Sequence, residues 1–327
     1  RTVESSNPAY RGCHVPLVSS FWLSTKAGKE AYVEPVIEGK TYRFEVRIGK
    51  QGPSIEETVN RRGGVCLLSK SPMPFSYVRE EAKAGRMGAK LMAIVAEGDR
   101  GRVYLNPDPE HEEVAAQVVA QNYPVTDLPE QALGFRVQLY GMDQHWKLFT
   151  SRQLVALTTF SDLVAEAREK VAKDAAAAGT LDDDDRPLRD GGKGALAYAE
   201  AVSIYLAIGV DRLSDRCSSL CGWDTGYTKI RNVFGRQAIP MVWDFAEGNV
   251  FSDSTGNFSS LLGWVEEFLK AVPQCPFGYA TQCDAATQTI SNGKIISTDP
   301  PYYDNICYAD LSDYFYVWMR RGLQPVY

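Results

Sequence analysis

Close to its C-terminal end the chain reads Lys294-Ile295-Ile296-Ser297-Thr298-Asp299-Pro300-Pro301-Tyr302-Tyr303. The groups here that can do chemistry are one carboxylate, Asp299, and the aromatic rings of Tyr302 and Tyr303. Ile295 and Ile296 read as the end of a buried parallel strand. The two prolines that follow have fixed φ and no N–H, so they cannot continue a ladder; they stiffen a loop at the carboxyl end of the strand. Open α/β sheets place their ligands at that end. Other constellations are weaker. His14, His111 and His145 are dispersed, and neither a Gly-x-Ser-x-Gly elbow nor a Gly-x-x-x-x-Gly-Lys-Ser/Thr loop occurs. The four consecutive acids at 182–185 repel one another and read as a solvated loop.

In this setting Asp-Pro-Pro-Tyr resembles the catalytic motif of the amino-methylating DNA methyltransferases, which move a methyl group from S-adenosyl-L-methionine to the N6 of adenine or the N4 of cytosine. The run from Tyr302 to Trp318 is similar to the adenine-specific DNA methylases that contain a Zn-ribbon. So are Lys83-Ala84-Gly85-Arg86-Met87-Gly88 with the apolar residues after it, Phe21-Trp22-Leu23-Ser24, and Asn232-Val233-Phe234-Gly235-Arg236. The resemblance spans nearly the whole chain. It implies an α/β fold: a partial Rossmann-like methyltransferase core with a β-rich ribbon-like insertion and a helical segment. It also implies roles. Asp299 accepts a hydrogen bond from the exocyclic amine, the Pro300 carbonyl is a second acceptor, Pro301 completes the corner, and Tyr302 stacks on a base swung out of the duplex. Tyr303 and Asn305, with Asp304, extend the base pocket. Catalysis would then rest on positioning and electrostatics without a covalent intermediate. The implied partners are DNA and other subunits of a restriction-modification or defence system. Adenine is the expected target and cytosine the neighbouring one. A module that binds DNA or assists assembly without catalysis is the alternative.

Two departures from the family pattern stand out. The strand and Phe-x-Gly-x-Gly-like loop that would hold the methyl donor have no good copy. The nearest segment, Trp243-Asp244-Phe245-Ala246-Glu247-Gly248, lacks the second glycine, and the chain reads as an internal fragment of a longer enzyme. The Zn-ribbon needs four ligands, usually in two Cys-x-x-Cys knuckles. Here Cys13 and Cys66 each lack a partner, Ser69 stands where the second Cys of one knuckle would fall, and His14 is too close to Cys13 to share an ion with it. No bound metal is expected. Cys217 and Cys221, at i and i+4, read as packed thiols.

The elements that must position these residues are legible from periodicity. Residues 41–48 alternate apolar and charged side chains, and with 31–37 they predict a hairpin. Residues 90–96 read as a buried strand and 102–105 as a second, with a turn at 98–101. Residues 110–121 predict a short surface helix. Thr150 and Gln153 form a capping box that opens a helix running to Gly179; two more helices are predicted at 195–215 and 261–272. The aromatics at 314–318 read as the core face of a last helix. The expected organisation is a ribbon-like insertion with a basic segment at 1–106, an acidic connector at 107–148, and a helical and catalytic part at 149–327.

Charge and composition bound the partners. The 327 residues allow about two domains. With 44% hydrophobic and 23% charged residues the chain is neither collagen-like, low-complexity nor a rod. A net charge of −6 means that DNA would have to be held by a local basic face. Arg79, Lys83, Arg86, Lys90, Arg100 and Arg102 are the candidate cluster; an ordinary solvated surface offset by Glu80, Glu81, Glu97 and Asp99 is the equal alternative. No apolar run reaches the roughly 18 residues of a membrane span. The seven scattered cysteines suit reduced thiols, so the cytoplasm is the expected compartment.

Overall fold

The first hundred residues fold into short antiparallel sheets, as their period-two patterning requires. The computed structural model describes residues 1–272, 281–299, 303 and 305–326. β1 (Thr2–Glu4) pairs with β2 (His14–Pro16). β3 (Trp22–Ser24), β4 (Ala31–Glu38) and β5 (Thr41–Ile48) form one three-stranded sheet, and β6 (Val59–Asn60), β7 (Gly63–Val65) and β8 (Pro72–Met73) another. The predicted hairpin is present: β4 and β5 stay in register from Ala31 opposite Ile48 to Glu38 opposite Thr41. It closes through Gly39 at φ 63°, a conformation a glycine adopts without a Cβ clash. Phe44 turns inward onto Phe21, Val18 and Val33. Arg43, Glu45 and Arg47 alternate with it and pair with one another, which blunts the sheet edge.

α1 (Phe75–Lys83) has no counterpart in the sequence reading. Its nine residues bury only Val78, Glu81 and Ala82, too few to show a helical period above the surrounding charges. β9 (Ile94–Gly98) and β10 (Gly101–Leu105) make a two-stranded ribbon. The strand expected at 90–96 therefore starts later, and it is half-buried. A two-stranded ribbon has no third strand or second layer to cover both faces, which leaves Val103 and Leu105 exposed. α2 (Pro109–Ala116) is shorter than expected and is capped by Asp108, whose carboxylate accepts from the Glu110 N–H.

The rest of the described chain is mainly helical. α3 (Ser151–Ala178) has the predicted capping box: Thr150 Oγ1 accepts from the Gln153 N–H at 3.2 Å, and Gln153 Oε1 accepts from the Thr150 N–H at 2.8 Å. α4 (Ala195–Ser214) is followed by a small hairpin, β11 (Trp223–Asp224) with β12 (Lys229–Ile230). α5 (Phe258–Ala271) is capped by Asn257, and α6 (Tyr308–Leu323) closes the fold. α6 runs antiparallel to α4. Tyr314 donates its hydroxyl to the Ser214 carbonyl at 2.8 Å, while Gly322, two turns on, lies against Ala207. Leu154, Leu157, Val164, Val210, Leu213, Tyr314 and Trp318 fill the space between α3, α4 and α6. Tyr314 and Trp318, each 1% exposed, are core residues, as their helical spacing implies.

Threads from the helical part fasten the ribbon to it. The Arg1 guanidinium donates to the carbonyls of Val242 and Ser219 at 2.9 Å, Trp223 Nε1 donates to the Leu23 carbonyl at 2.7 Å, and Trp243 stacks on Phe75 with ring centroids 6.0 Å apart. The architecture is mixed α/β. All pairings among the described residues are antiparallel, in sheets of two or three strands. The strand expected at Ile295 and Ile296 is not formed: both residues lie in irregular backbone, 103% and 64% exposed. A parallel strand needs flanking strands, and among the described residues none is placed to receive it. No helix among those residues is long and apolar enough to cross a membrane.

Candidate functional site

Asp299 is exposed on an irregular segment. Pro300, Pro301 and Tyr302 lie outside the described residues. Tyr303, 97% exposed, stands at φ 51°, a left-handed conformation that costs a bulky residue on the order of 1–3 kcal/mol. Asn305 is also exposed. The corner is followed at once by α6, anchored by Tyr314 and Trp318, and by Cys307, whose thiol donates to the Leu133 carbonyl at 3.2 Å. Asp299, Tyr303 and Asn305 line neither the cavity among residues 130–139 nor the one between α3 and the 247–251 loop.

The six cations of the candidate DNA-binding set do not share one environment. Arg86 is paired with Glu81 by two bonds of 2.8 Å, and Arg102 with Glu97 at 2.6 Å. Lys90 donates to the Tyr42 carbonyl at 3.2 Å and lies over the Tyr42 ring. Arg79 packs its guanidinium against the rings of Phe75 and Tyr140, and its buried Nε has no partner among the described residues. Lys83 and Arg100 are exposed and make no ion pair there.

The ribbon keeps a knuckle-like turn around Cys66. Its sulfur lies 3.2 Å from Ser5 Oγ and accepts from the Ser69 N–H at 3.3 Å. The turn is completed by the Lys70 N–H donating to the Cys66 carbonyl, with Lys70 at φ 59°. Burial alone would raise the thiol pKa, but hydrogen bonds from Ser5, Ser69 and the turn outweigh it and hold the pKa below its ordinary value. Among the described residues no three His, Cys, Asp or Glu side chains gather where they could hold a metal ion. Hydrogen bonds and the packing of Val3, Val15, Leu17 and Leu67 around the knuckle hold this shape. Cys217 and Cys221 are buried thiols, both pushed up by burial, Cys221 to about 12.

The Trp243–Gly248 stretch, nearest in pattern to a methyl-donor loop, is engaged within the protein. Trp243 packs on Phe75 and Tyr140, Asp244 accepts from Ser19 Oγ at 2.7 Å, and the Ala246 N–H donates to the Cys221 carbonyl. A Cβ on Gly248 would meet Ile230 at 2.7 Å. These residues do not fit a cradle for S-adenosyl-L-methionine.

Sequence reasoning missed two carboxylates. Asp211 lies on the buried face of α4, its Oδ1 without a partner among the described residues, and burial pushes its pKa up to about 8. Asp215 accepts from the Phe234 N–H and from Asn232 Nδ2, each at 3.0 Å, and so ties down the 232–234 segment; burial raises it too. The signal for Asp211 is an Asp within an apolar helical stripe; Asp215 stands at the C-cap of the same helix. His145 is buried and hydrogen-bonds Thr126, and burial lowers its pKa; it packs in the core. Comparison of the chain with family models, curated proteins and solved structures finds no match.

Proposed function

We propose that this chain carries the catalytic corner of an S-adenosyl-L-methionine-dependent DNA amino-methyltransferase, with adenine N6 as target. The observation that carries the reading is Asp299-Pro300-Pro301-Tyr302, separated from Ile295 and Ile296 only by Ser297 and Thr298. Two adjacent isoleucines in water are uncommon company for a polar loop, and burying them would stabilise the fold by about 1.5–3 kcal/mol each. In this reading they enter a Rossmann-like parallel sheet completed by further strands, and Asp299 comes to stand at its carboxyl edge.

The chemistry asked of this chain is modest. An exocyclic amine conjugated with its ring is a poor nucleophile. A carboxylate at 299 and the carbonyl of Pro300 would each accept a hydrogen bond from one N–H of the amine, favouring a more tetrahedral nitrogen with its lone pair free; as the N–C bond forms and the S–CH3 bond breaks, S-adenosyl-L-homocysteine would leave and one amine proton would pass to solvent. Tyr302 stacks on the extruded base and Tyr303 and Asn305 border it. Holding of the methyl donor is assigned to no residue of this chain.

The test is transfer of labelled methyl from S-adenosyl-L-methionine to DNA, with the product nucleoside identified. Asp299→Ala should lower the rate by about 100-fold or more while leaving thermal stability unchanged, because Asp299 is exposed. Equal rates in the two proteins refute the assignment. The alternative, DNA binding through the Arg79–Arg102 region, rests on the four cations there that are not paired with carboxylates, Arg79, Lys83, Lys90 and Arg100, since Arg86 and Arg102 are paired with Glu81 and Glu97.

A further inference from the structure

The 281–299 segment holds the only Asn-Gly pair in the sequence, Asn292-Gly293. Both residues are exposed and lie in a turn at 290–293. The turn is closed by its own groups. The Asn292 N–H donates to the Thr289 carbonyl and the Lys294 N–H to the Ser291 carbonyl, each at 3.1 Å, and Gln288 Nε2 donates to Ser291 Oγ at 2.7 Å. The Gly293 N–H between these bonds has no acceptor among the described residues, and the Asn292 side-chain amide has no partner there either. A Cβ on Gly293 would meet no atom within 4 Å, so the space beside its nitrogen is open. Glycine itself puts no side chain in the way. Asp190-Gly191 is the contrasting pair: there the Gly191 N–H is committed to the Leu188 carbonyl at 3.0 Å.

We propose that Asn292 is a site of spontaneous deamidation and isoaspartate formation. The Gly293 nitrogen gives its proton to solvent and attacks the Asn292 side-chain carbonyl carbon. The bond from that carbon to Nδ2 breaks, and Nδ2 takes up a proton and leaves as ammonia. The product is a cyclic succinimide, which water opens. Attack of water at the former side-chain carbonyl gives aspartate; attack at the main-chain carbonyl gives isoaspartate. Water is the one co-reactant, and nothing is oxidised or reduced. Either product exchanges an amide for a carboxylate, which takes the net charge from −6 to −7. Isoaspartate also routes the main chain through the side chain, adding a carbon between the turn and Ile295. The change falls on the stretch that leads to Asp299, and the inference does not depend on methyl transfer.

Incubation of the whole chain in mildly alkaline buffer, folded and in urea, tests it. Peptide mapping by mass spectrometry follows each asparagine, and chromatography resolves isoaspartate from aspartate. In the folded chain Asn292 should convert close to its rate in urea and ahead of every other asparagine, with isoaspartate among the products. Asn292→Gln, an exposed substitution whose longer side chain must close a larger ring, should lose the conversion over the same period with an unchanged thermal midpoint. Asp299→Ala should convert as the wild type does, which separates this chemistry from the catalytic proposal. Asn292 left intact in the folded chain while it converts in urea overturns the inference, since the Gly293 nitrogen would then be covered. So does conversion that proceeds without isoaspartate, which would mean direct hydrolysis of the amide.

Discussion

The bundle of α3, α4 and α6 and the 281–299 segment are parts of one chain that treat apolar side chains in opposite ways. In the bundle, Leu157 and Leu213 are 0% exposed and Trp318 is 1% exposed. In the segment, Ile290, Ile295 and Ile296 are all more than half exposed, and the backbone forms turns and irregular structure. The residues with the most chemistry in the sequence therefore sit next to the part with the least packing of its own. A helix satisfies its backbone internally and can bury a stripe against any neighbour. A strand leaves its backbone groups unpaired until another segment lies beside it, so its burial depends on other segments.

The sharpest way to break this comparison lies inside the bundle, at Asp211, a buried carboxyl whose Oδ1 has no partner among the described residues. Below about pH 4 Asp211 is protonated in folded and unfolded chains alike and contributes nothing. As pH rises, the unfolded chain ionises it at the ordinary value of 3.8, while the folded chain keeps it neutral up to about 8. The unfolded state then binds fewer protons, so stability falls between about pH 4 and 8 and levels off above. Asp211→Asn should match the wild type near pH 3 and exceed it at pH 9 by about 6 kcal/mol in chemical denaturation. A difference independent of pH would show that the carboxyl is hydrated and the bundle less tightly packed.

Next in size, Leu157→Ala should cost about 3 kcal/mol, since it opens a cavity in the same core; a loss under 1 kcal/mol would mean that the bundle is loose. Thr150→Ala, which removes half of the capping box, should cost about 1 kcal/mol and lower the thermal midpoint modestly. The smallest effect belongs to the other region. Ile295→Ser should change stability by less than about 0.5 kcal/mol. A larger loss would show that this isoleucine is covered in solution and that the two regions are less unlike than they look.

Much of the bundle was legible beforehand. The capping box at Thr150 and Gln153, the stop at Gly179 and the stripe through α4 are local signals, with chemistry and period within a few residues. The β4–β5 hairpin is equally local. α1 escaped notice because a nine-residue helix burying three side chains has little period to show. The pairing of Arg86 with Glu81 and Arg102 with Glu97 turned part of an apparent basic cluster into neutral pairs, since charge counted along a chain says nothing of which carboxylate faces which guanidinium. Gln153 was legible as a cap; that it also lines a cavity required the 247–251 loop to be brought against it.

By itself the amino-acid sequence determined the long helices, the capping box of α3, the main hairpin and the residue types available at the Asp-Pro-Pro-Tyr corner, because each depends on neighbours a few positions away. Tertiary structure alone decided where Asp211 is buried, which cations are paired with carboxylates, that Ser5 and Ser69 hold the Cys66 sulfur, and that Ile295 and Ile296 pair with no strand among the described residues. These outcomes turn on contacts between segments up to hundreds of residues apart, and their energies are set by the partner that arrives, which no local pattern encodes.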